Sequence, residues 1–213
     1  MTTQVYIKQY KTPDLNENEI LRYAGARGDS GELKAMLGPL CDRILPLLSY
    51  KVCYSVLSVE CDGGLKLCGY DFSSRLLEEK LRGASYAILF CATVGHGIDR
   101  EISRLALTSP TSALLAGAIG SERAESLCDA FCQSIARAEG LAADRAPRYS
   151  AGYADIPLTY QKTIFEILEP EGRIGVTLRE SLLMSPSKTV TALVPLSVSP
   201  EELSEFHLRL LEY

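Results

Sequence analysis

A glycine turn between two strand-like segments constrains the fold of this chain more than any other feature of its sequence. Residues 51–61 are rich in Val, Tyr, Leu and Ser, and residues 65–70 form a second apolar segment beyond Asp62-Gly63-Gly64. Asp-Gly and Gly-Gly pairs between such segments are typical of the tight turn of a β-hairpin. The sequence therefore predicts an antiparallel pair of strands in its first third.

The other segments change irregularly between helical and strand-like patterns. Asn16 precedes acidic and spaced apolar residues, which indicates a helix start, and Gly25 and Gly28 indicate the end of that helix. Further helices are predicted over residues 30–45, 71–82, 95–107, 111–141 with a break at 117–121, 157–168 and 201–211. Further strands are predicted over residues 4–9, 84–93 and 189–198, and residues 172–179 are predicted to be extended with a break at Gly175. Because regular strand–helix–strand alternation is missing, the expected fold class is α+β, with a mixed, largely antiparallel sheet flanked by helices.

Length and charge narrow the organisation and the partners of the chain. With 213 residues and an apolar fraction of 46%, the chain is expected to form one domain over 1–213, with residues 1–28 as a peripheral N-terminal extension. The net charge of −5 and the scattered Lys and Arg residues argue against a nucleic-acid surface. No signal peptide and no apolar run of about 18 residues are visible, which favours a cytoplasmic protein without a membrane partner.

Seven cysteines lie mostly in apolar segments, where cysteine behaves as a small hydrophobic residue. Cys128 and Cys132 are four residues apart on a predicted helix and could place two thiolates on one metal ion. A closed zinc site needs about four ligands, and the chain has only two histidines. A reduced cytoplasmic interior without a metal is therefore the favoured interpretation.

Familiar enzyme motifs are missing from the sequence. It contains neither a GxSxG nucleophile turn nor a phosphate-binding GxxxxGK[ST] loop. Residues 93–97, Thr-Val-Gly-His-Gly, join a predicted strand to a helix and could approach an anion, but a tight turn explains them better. His96 in that turn is either a polar helix cap or a group facing a cofactor. His207 is expected at the surface of an amphipathic terminal helix.

The sharpest constellation is an arginine followed by a glycine turn and a tyrosine. Arg148 can pair with a carboxylate, Gly152 lets a ligand approach the backbone, and Tyr153 offers a flat face to a ring or a cation. Such a turn suits a zwitterionic ligand that carries a purine, a carboxylate and a sulfonium. From the residues alone, a solvated surface turn before a helix remains the alternative.

This turn resembles the RxxxGY motif of the activation (reactivation) domain of cobalamin (vitamin B12)-dependent methionine synthase. Further segments resemble family patterns in the same order: residues 152–157 the GYxxxP pattern, residues 175–181 the G-x-x-L-x-E-S pattern, and residues 184–186 the M-x-P pattern. The resemblance is clear over roughly the last third of the chain. The helix near residues 19–23 is similar to the start of short, stand-alone relatives.

The resemblance implies a site for S-adenosylmethionine and no catalytic side chain. Carried over position by position, the ligand-lining residues are Asp129, Arg148, Ser150, Ala151, Gly152 and Tyr153. Asp129 takes the place of a family acid, with its carboxylate one methylene closer to the main chain. A second family acid corresponds to Ala142, with Asp144 close by but out of register.

The resemblance also implies the role and the partners. The expected role is that of an accessory subunit for the reductive methylation of a cobalamin-dependent methionine synthase. The chain would not bind cobalamin alone and would contact it only in a complex with a cobalamin-binding subunit or another corrinoid protein. The electron would come from a flavodoxin-like or iron–sulfur donor. Two alternatives stay open: a partner module that has lost its ligand, which Ala142 motivates, and a methyltransferase that acts on another acceptor.

Overall fold

A six-stranded antiparallel sheet forms the centre of the molecule. The computed structural model describes residues 4–26, 31–141 and 145–213. In these ranges the sheet strands are β1 (Tyr6–Tyr10), β2 (Tyr50–Glu60), β3 (Leu65–Leu67), β4 (Tyr70–Phe72), β5 (Tyr86–Thr93) and, near the C-terminus, β8 (Thr189–Leu196). A separate two-stranded sheet consists of β6 (Thr177–Leu178) and β7 (Met184–Ser185). The helices are α1 (Glu17–Tyr23), α2 (Gly31–Ile44), α3 (Arg75–Leu81), α4 (Gly97–Ala106), α5 (Pro110–Glu139), α6 (Tyr160–Leu168), α7 (Pro170–Ile174) and α8 (Leu203–Glu212).

The long strand β2 organises the sheet. One of its edges pairs with β5, which pairs in turn with β8, and the other edge pairs with β1 near its start and with β3 near its end. The β2–β3 pair confirms the predicted hairpin around residues 62–64. The expected continuous segment over 65–70 is wrong, because Cys68 and Gly69 have φ values of 50° and 86° and turn the chain into β4.

Helices cover both faces of the sheet, and the residue alternation along β5 shows why. Ile88 and Phe90 belong to a core with α1, α2, α4, α5 and α8, whereas Ala87 and Leu89 belong to a second core with α3, α6 and α7. A strand buried on both faces needs apolar side chains at every position, which β5 supplies. The expected α+β class with an antiparallel sheet flanked by helices is confirmed.

Local capping signals fix the starts of α1 and α3, but α3 begins after Ser74 and not at residue 71 as predicted, because Asp71 and Phe72 belong to β4. The Asn16 side chain accepts a hydrogen bond from the backbone N–H of Glu19 at 3.2 Å, and Ser74 accepts one from Leu77 at 3.2 Å. The predicted break of the long helix at 117–121 is wrong, since α5 runs as one helix of 30 residues.

Two further predictions are corrected near the C-terminus. Residues 172–179 are not extended throughout, because α7 continues to Ile174 before β6 begins. His207 is half-buried and not freely exposed: its ring packs against Tyr6 with 4.1 Å between ring centroids, and its Nε2 is buried without a hydrogen-bond partner among the described residues. Burial lowers the pKa of His207.

Some expectations concern residues outside the described ranges, namely Gly28 as a helix end and Ala142 and Asp144 beside the arginine turn. Within the described residues, no helix is long and apolar enough to cross a membrane.

Candidate functional site

The helix α5 carries a polar stripe that meets a row of basic side chains. Ser121, Glu125 and Asp129 are four residues apart, so they share one face of the helix. Lys188 donates to Ser121 Oγ at 2.8 Å, and Arg148 donates to Glu125 and to Asp129 at 2.5 Å each. The stripe therefore joins the arginine turn to the segment that leads into β8.

Arg148 is held by two carboxylates. Its Nη1 pairs with Asp129 and its Nη2 with Glu125, and only 19% of its side chain is exposed. Burial works against the charged form, but the hydrogen bond to Asp129 and the neighbouring negative charges outweigh it, so the pKa of Arg148 is raised. Arg145 also contacts Asp129 from the exposed side. A guanidinium group has five N–H donors, so Arg148 has donors left beyond these two ion pairs.

Three adjoining clefts follow the polar stripe, and we call them together the α5 groove. The middle cleft, of about 420 Å³, contains Arg148. A larger cleft of about 670 Å³ shares Asn16 and Asp129 with it, and a smaller one of about 240 Å³ shares Tyr23 and Glu125 with it. The residues that define the groove are Asn16, Tyr23, Glu125, Asp129, Arg148 and Lys188.

A buried ion pair behind the stripe fixes one wall of the groove. Arg123 is fully buried, pairs with Glu122 at 2.5 Å, and donates to the carbonyl oxygens of Pro13 and Asp14 at 2.6 Å each. Glu122 accepts from the backbone N–H of Asn16 at 3.1 Å. Since residues 13–18 line the largest cleft, this pair positions the loop before α1 over the groove.

The arginine turn continues as an exposed loop next to the groove. Gly152 has a φ of 88°, and its N–H donates to the carbonyl oxygen of Ile156 at 2.8 Å. The N–H of Tyr153 donates to the carbonyl oxygen of Ser150 at 3.2 Å. The Tyr153 ring is 65% exposed. Of the predicted ligand residues, the structure brings Asp129 and Arg148 together, while residues 150–153 lie outside the described lining of the clefts.

Asp155 anchors this loop to α3. Its carboxylate accepts hydrogen bonds from Ser74 Oγ at 2.9 Å and from the backbone N–H groups of Arg75 at 2.6 Å and Leu76 at 3.4 Å. The hydrogen bond from Ser74 is the main reason why the pKa of Asp155 is lowered. The loop with Tyr153 is therefore attached to the face of the sheet opposite α5.

The glycine-rich turn at 93–97 is explained by packing. A Cβ on Gly97 would collide with the carbonyl oxygen of Leu47, and one on Gly95 would collide with Ser49 Oγ. His96 is the first residue before α4, makes no side-chain cap, and lies 3.2 Å from the carbonyl oxygen of Gly175 through Nε2. Protein atoms therefore fill the space beside Gly95 and Gly97, and His96 contacts the backbone of Gly175.

The cysteine pair on α5 lies in the core. Cys128 and Cys132 are fully buried among apolar side chains. Burial raises the pKa of Cys132 to about 11 and that of Cys128 well above its ordinary value, so both are thiols at neutral pH. Among the described residues no group of three or more His, Cys, Asp or Glu side chains could hold a metal ion.

Comparisons with known proteins identify the family and the fold of this chain. The fold and the groove define an α+β domain in which one long helix presents a polar stripe beside an antiparallel sheet. The sequence profile of "Vitamin B12 dependent methionine synthase, activation domain" matches residues 66–209, about two thirds of the chain, and the chain belongs to this family.

Solved structures show the same fold. Thirteen of their chains match, among them the crystal structure of the MetH reactivation domain bound to AdoHcy. The match has a TM-score of 0.64 and 16% sequence identity, and it covers 92% of this chain and 79% of that chain. No curated protein matches the sequence.

Several groove residues were missed by the sequence analysis. Glu125 and Ser121 were not singled out as site residues, although the four-residue spacing of Ser121, Glu125 and Asp129 is a helical pattern that the sequence shows. No local sequence signal places Asn16 and Tyr23 in the groove, because their approach to α5 depends on the tertiary packing of α1.

Proposed function

We propose that this protein binds S-adenosylmethionine in the α5 groove and serves as an accessory subunit in the reductive reactivation of a cobalamin-dependent methionine synthase. The observation that carries the proposal is the Arg148–Asp129 ion pair in a cleft, at the two positions where the family motif places ligand contacts. The related MetH domain was crystallised with AdoHcy, the product left when S-adenosylmethionine loses its methyl group.

The chemistry of the groove fits such a ligand. S-adenosylmethionine carries a sulfonium, an ammonium and a carboxylate, so its site needs both signs of charge. Glu125 and Asp129 supply negative charge, while Arg148 and Lys188 supply positive charge along the same helix face. The exposed ring of Tyr153, at the end of the arginine turn, is available to a purine or to a partner surface.

The protein's part in the reaction is positioning. Bound S-adenosylmethionine would supply a sulfonium methyl group for the cobalamin of the partner protein, with S-adenosylhomocysteine as the leaving group and the electron from a flavodoxin-like or iron–sulfur donor. Arg148 is fixed by two carboxylates and has little freedom to lose on binding. The wall at residues 13–18 is fixed by Arg123, so the groove is preorganised to hold the methyl group in one direction.

Isothermal titration with S-adenosylmethionine tests the proposal, and Arg148→Ala is the informative variant. Without the guanidinium, Asp129 and Glu125 lose their common cation and the ligand loses a charged donor. We expect the Kd to rise by about 10- to 100-fold, as for the loss of a charge-assisted hydrogen bond. Arg82→Ala, at an exposed residue after α3, is the matched control and leaves the Kd unchanged.

Two results would contradict the proposal. The first is the lack of any heat or thermal shift with millimolar S-adenosylmethionine in a protein that still captures a corrinoid protein, which would identify a partner module without ligand. The second is methyl transfer to another acceptor in the absence of any corrinoid protein. Cooperative thermal unfolding of Arg148→Ala shows that a loss of binding is not a loss of fold.

A further inference from the structure

Lys188 places an ammonium group in the α5 groove without a carboxylate partner. Its Nζ donates to Ser121 Oγ at 2.8 Å, and that hydroxyl donates in turn to the carbonyl of Gly117 at 3.0 Å. The ion pairs of the described residues do not include Lys188. An ammonium group has three donors, so two remain for a ligand.

The surroundings of Lys188 are built to hold it. Gly120 lies in α5, and a Cβ there would come within 2.7 Å of Ile98 Cγ1, 3.0 Å of Lys188 Cγ and 3.3 Å of Lys188 Cε, so the missing side chain leaves room for both α4 and the lysine stem. The Lys188 carbonyl accepts from Val94, and both the N–H and the hydroxyl of Ser187 donate to the carboxylate of Asp99. A glycine inside a helix costs about 1 kcal/mol relative to alanine.

The other basic side chains along the groove are already paired with acids. Arg22 pairs with Glu19, Arg145 with Asp129, and Arg148 with both Asp129 and Glu125. A ligand carboxylate at Arg148 would compete with two carboxylates of the protein. At Lys188 it would meet an ammonium group that makes no ion pair among the described residues; burial lowers the pKa of Lys188, and the nearby charge of Asp99 partly offsets this effect.

The position of Lys188 connects it to the proposed ligand site. The cleft that contains Lys188 shares Tyr23 and Glu125 with the cleft that contains Arg148. We propose that Lys188 binds the carboxylate of S-adenosylmethionine, so that the α5 groove selects adenosyl sulfonium ligands that carry an amino-acid group. This inference rests on the proposed function and adds a specificity-determining residue to it.

Decarboxylated S-adenosylmethionine is the probe that isolates this contact, because it differs from the ligand by the carboxylate alone. Both compounds are titrated into the full chain, into Lys188→Met, which keeps an unbranched side chain beside Gly120, and into Lys34→Met. Lys34 is exposed on α2 and serves as the control. For Lys188→Met we expect a Kd for S-adenosylmethionine about 10- to 100-fold higher, and for the decarboxylated compound a Kd within about threefold of the unchanged protein.

The outcomes separate this inference from the proposed function. Equal affinity of the unchanged protein for both compounds overturns the role of Lys188 and leaves the proposed function standing. A preference for the carboxylate that survives in Lys188→Met also overturns it and assigns the carboxylate to Arg148. Binding of neither compound to the unchanged protein overturns the proposed function and the inference together.

Discussion

The buried pair of Glu122 and Arg123 gives the strongest prediction about stability. Arg123→Met removes the guanidinium but keeps an apolar side chain of some length in its place. Glu122, whose side chain is 2% exposed, then keeps only neutral hydrogen-bond donors, the N–H of Asn16 at 3.1 Å and the Ser126 hydroxyl at 2.7 Å. The carbonyl oxygen of Pro13 loses its 2.6 Å donor, as does that of its neighbour.

The magnitude follows from these contacts. Removing one partner of a buried ion pair costs about 3–5 kcal/mol, because an uncompensated charge remains. Each orphaned carbonyl adds about 1 kcal/mol, part of which is recovered when the loop relaxes into water. We therefore expect the free energy of unfolding to fall by about 4–6 kcal/mol, a large share of a typical total of about 5–15 kcal/mol.

Urea unfolding followed by circular dichroism measures this loss. With an m-value of roughly 3 kcal/mol/M, the midpoint should fall by about 1.5 M. The double variant Glu122→Met/Arg123→Met is the control: it leaves no buried charge, so it should be more stable than Arg123→Met alone. A single variant that loses less than about 1 kcal/mol, or a double variant less stable than the single one, would refute the reasoning.

Two further predictions concern packing and pH. Gly97→Ala places a methyl group against the carbonyl oxygen of Leu47, so we expect urea unfolding to show a free energy of unfolding lower by about 2–3 kcal/mol. Gly117→Ala, which has open space at its Cβ, should raise the free energy of unfolding by up to about 1 kcal/mol. Equal shifts in the two variants would contradict the packing argument. His207 is half-buried beside Tyr6, and burial lowers its pKa. Below about pH 6.5 the unfolded chain therefore binds a proton that the folded protein does not, and stability falls as the pH drops through that value towards the folded-state pKa. His207→Phe should remove this part of the pH dependence between about pH 7 and 5, and an unchanged slope in thermal unfolding would count against it.

Much of the fold could be predicted from the sequence because its signals are local. Asn16 and Ser74 cap their helices through bonds to residues three positions away, and the turn at 62–64 sets a hairpin register within a few residues. The sequence of β5 shows no alternation of polar and apolar residues, because helices cover the strand on both faces; its continuous apolar run is what identifies it as a buried strand.

The errors arise where tertiary packing overrides local preference. Glycines at 117 and 120 and the serine at 121 predict a helix break, yet α5 continues because its apolar face is buried along its whole length. At Gly120 the residue leaves space for the stem of Lys188, a reason that only the folded structure provides. His207 is less exposed than its place on an amphipathic terminal helix suggests, because β1 brings Tyr6 over α8 from the other end of the chain.

The candidate site also has features that the sequence predicts and features that only the structure shows. The RxxxGY turn and Asp129 are recognisable from the sequence, but their pairing is not, because Arg148 and Asp129 are 19 residues apart and belong to different elements. Glu125 reaches Arg148 only because it lies one turn before Asp129 on the same helix face.

The two faces of α5 separate the proposed binding groove from the hydrophobic core. Leu127 and Phe131 are fully buried in the core, whereas Glu125 and Asp129 are partly exposed on the stripe that faces the groove. Because neighbouring positions on a helix point in different directions, charge in the groove can change without a change in core packing. Specificity for a ligand can therefore vary at the stripe and at Lys188 while the sheet and its helices stay the same, which is consistent with a common fold at 16% sequence identity.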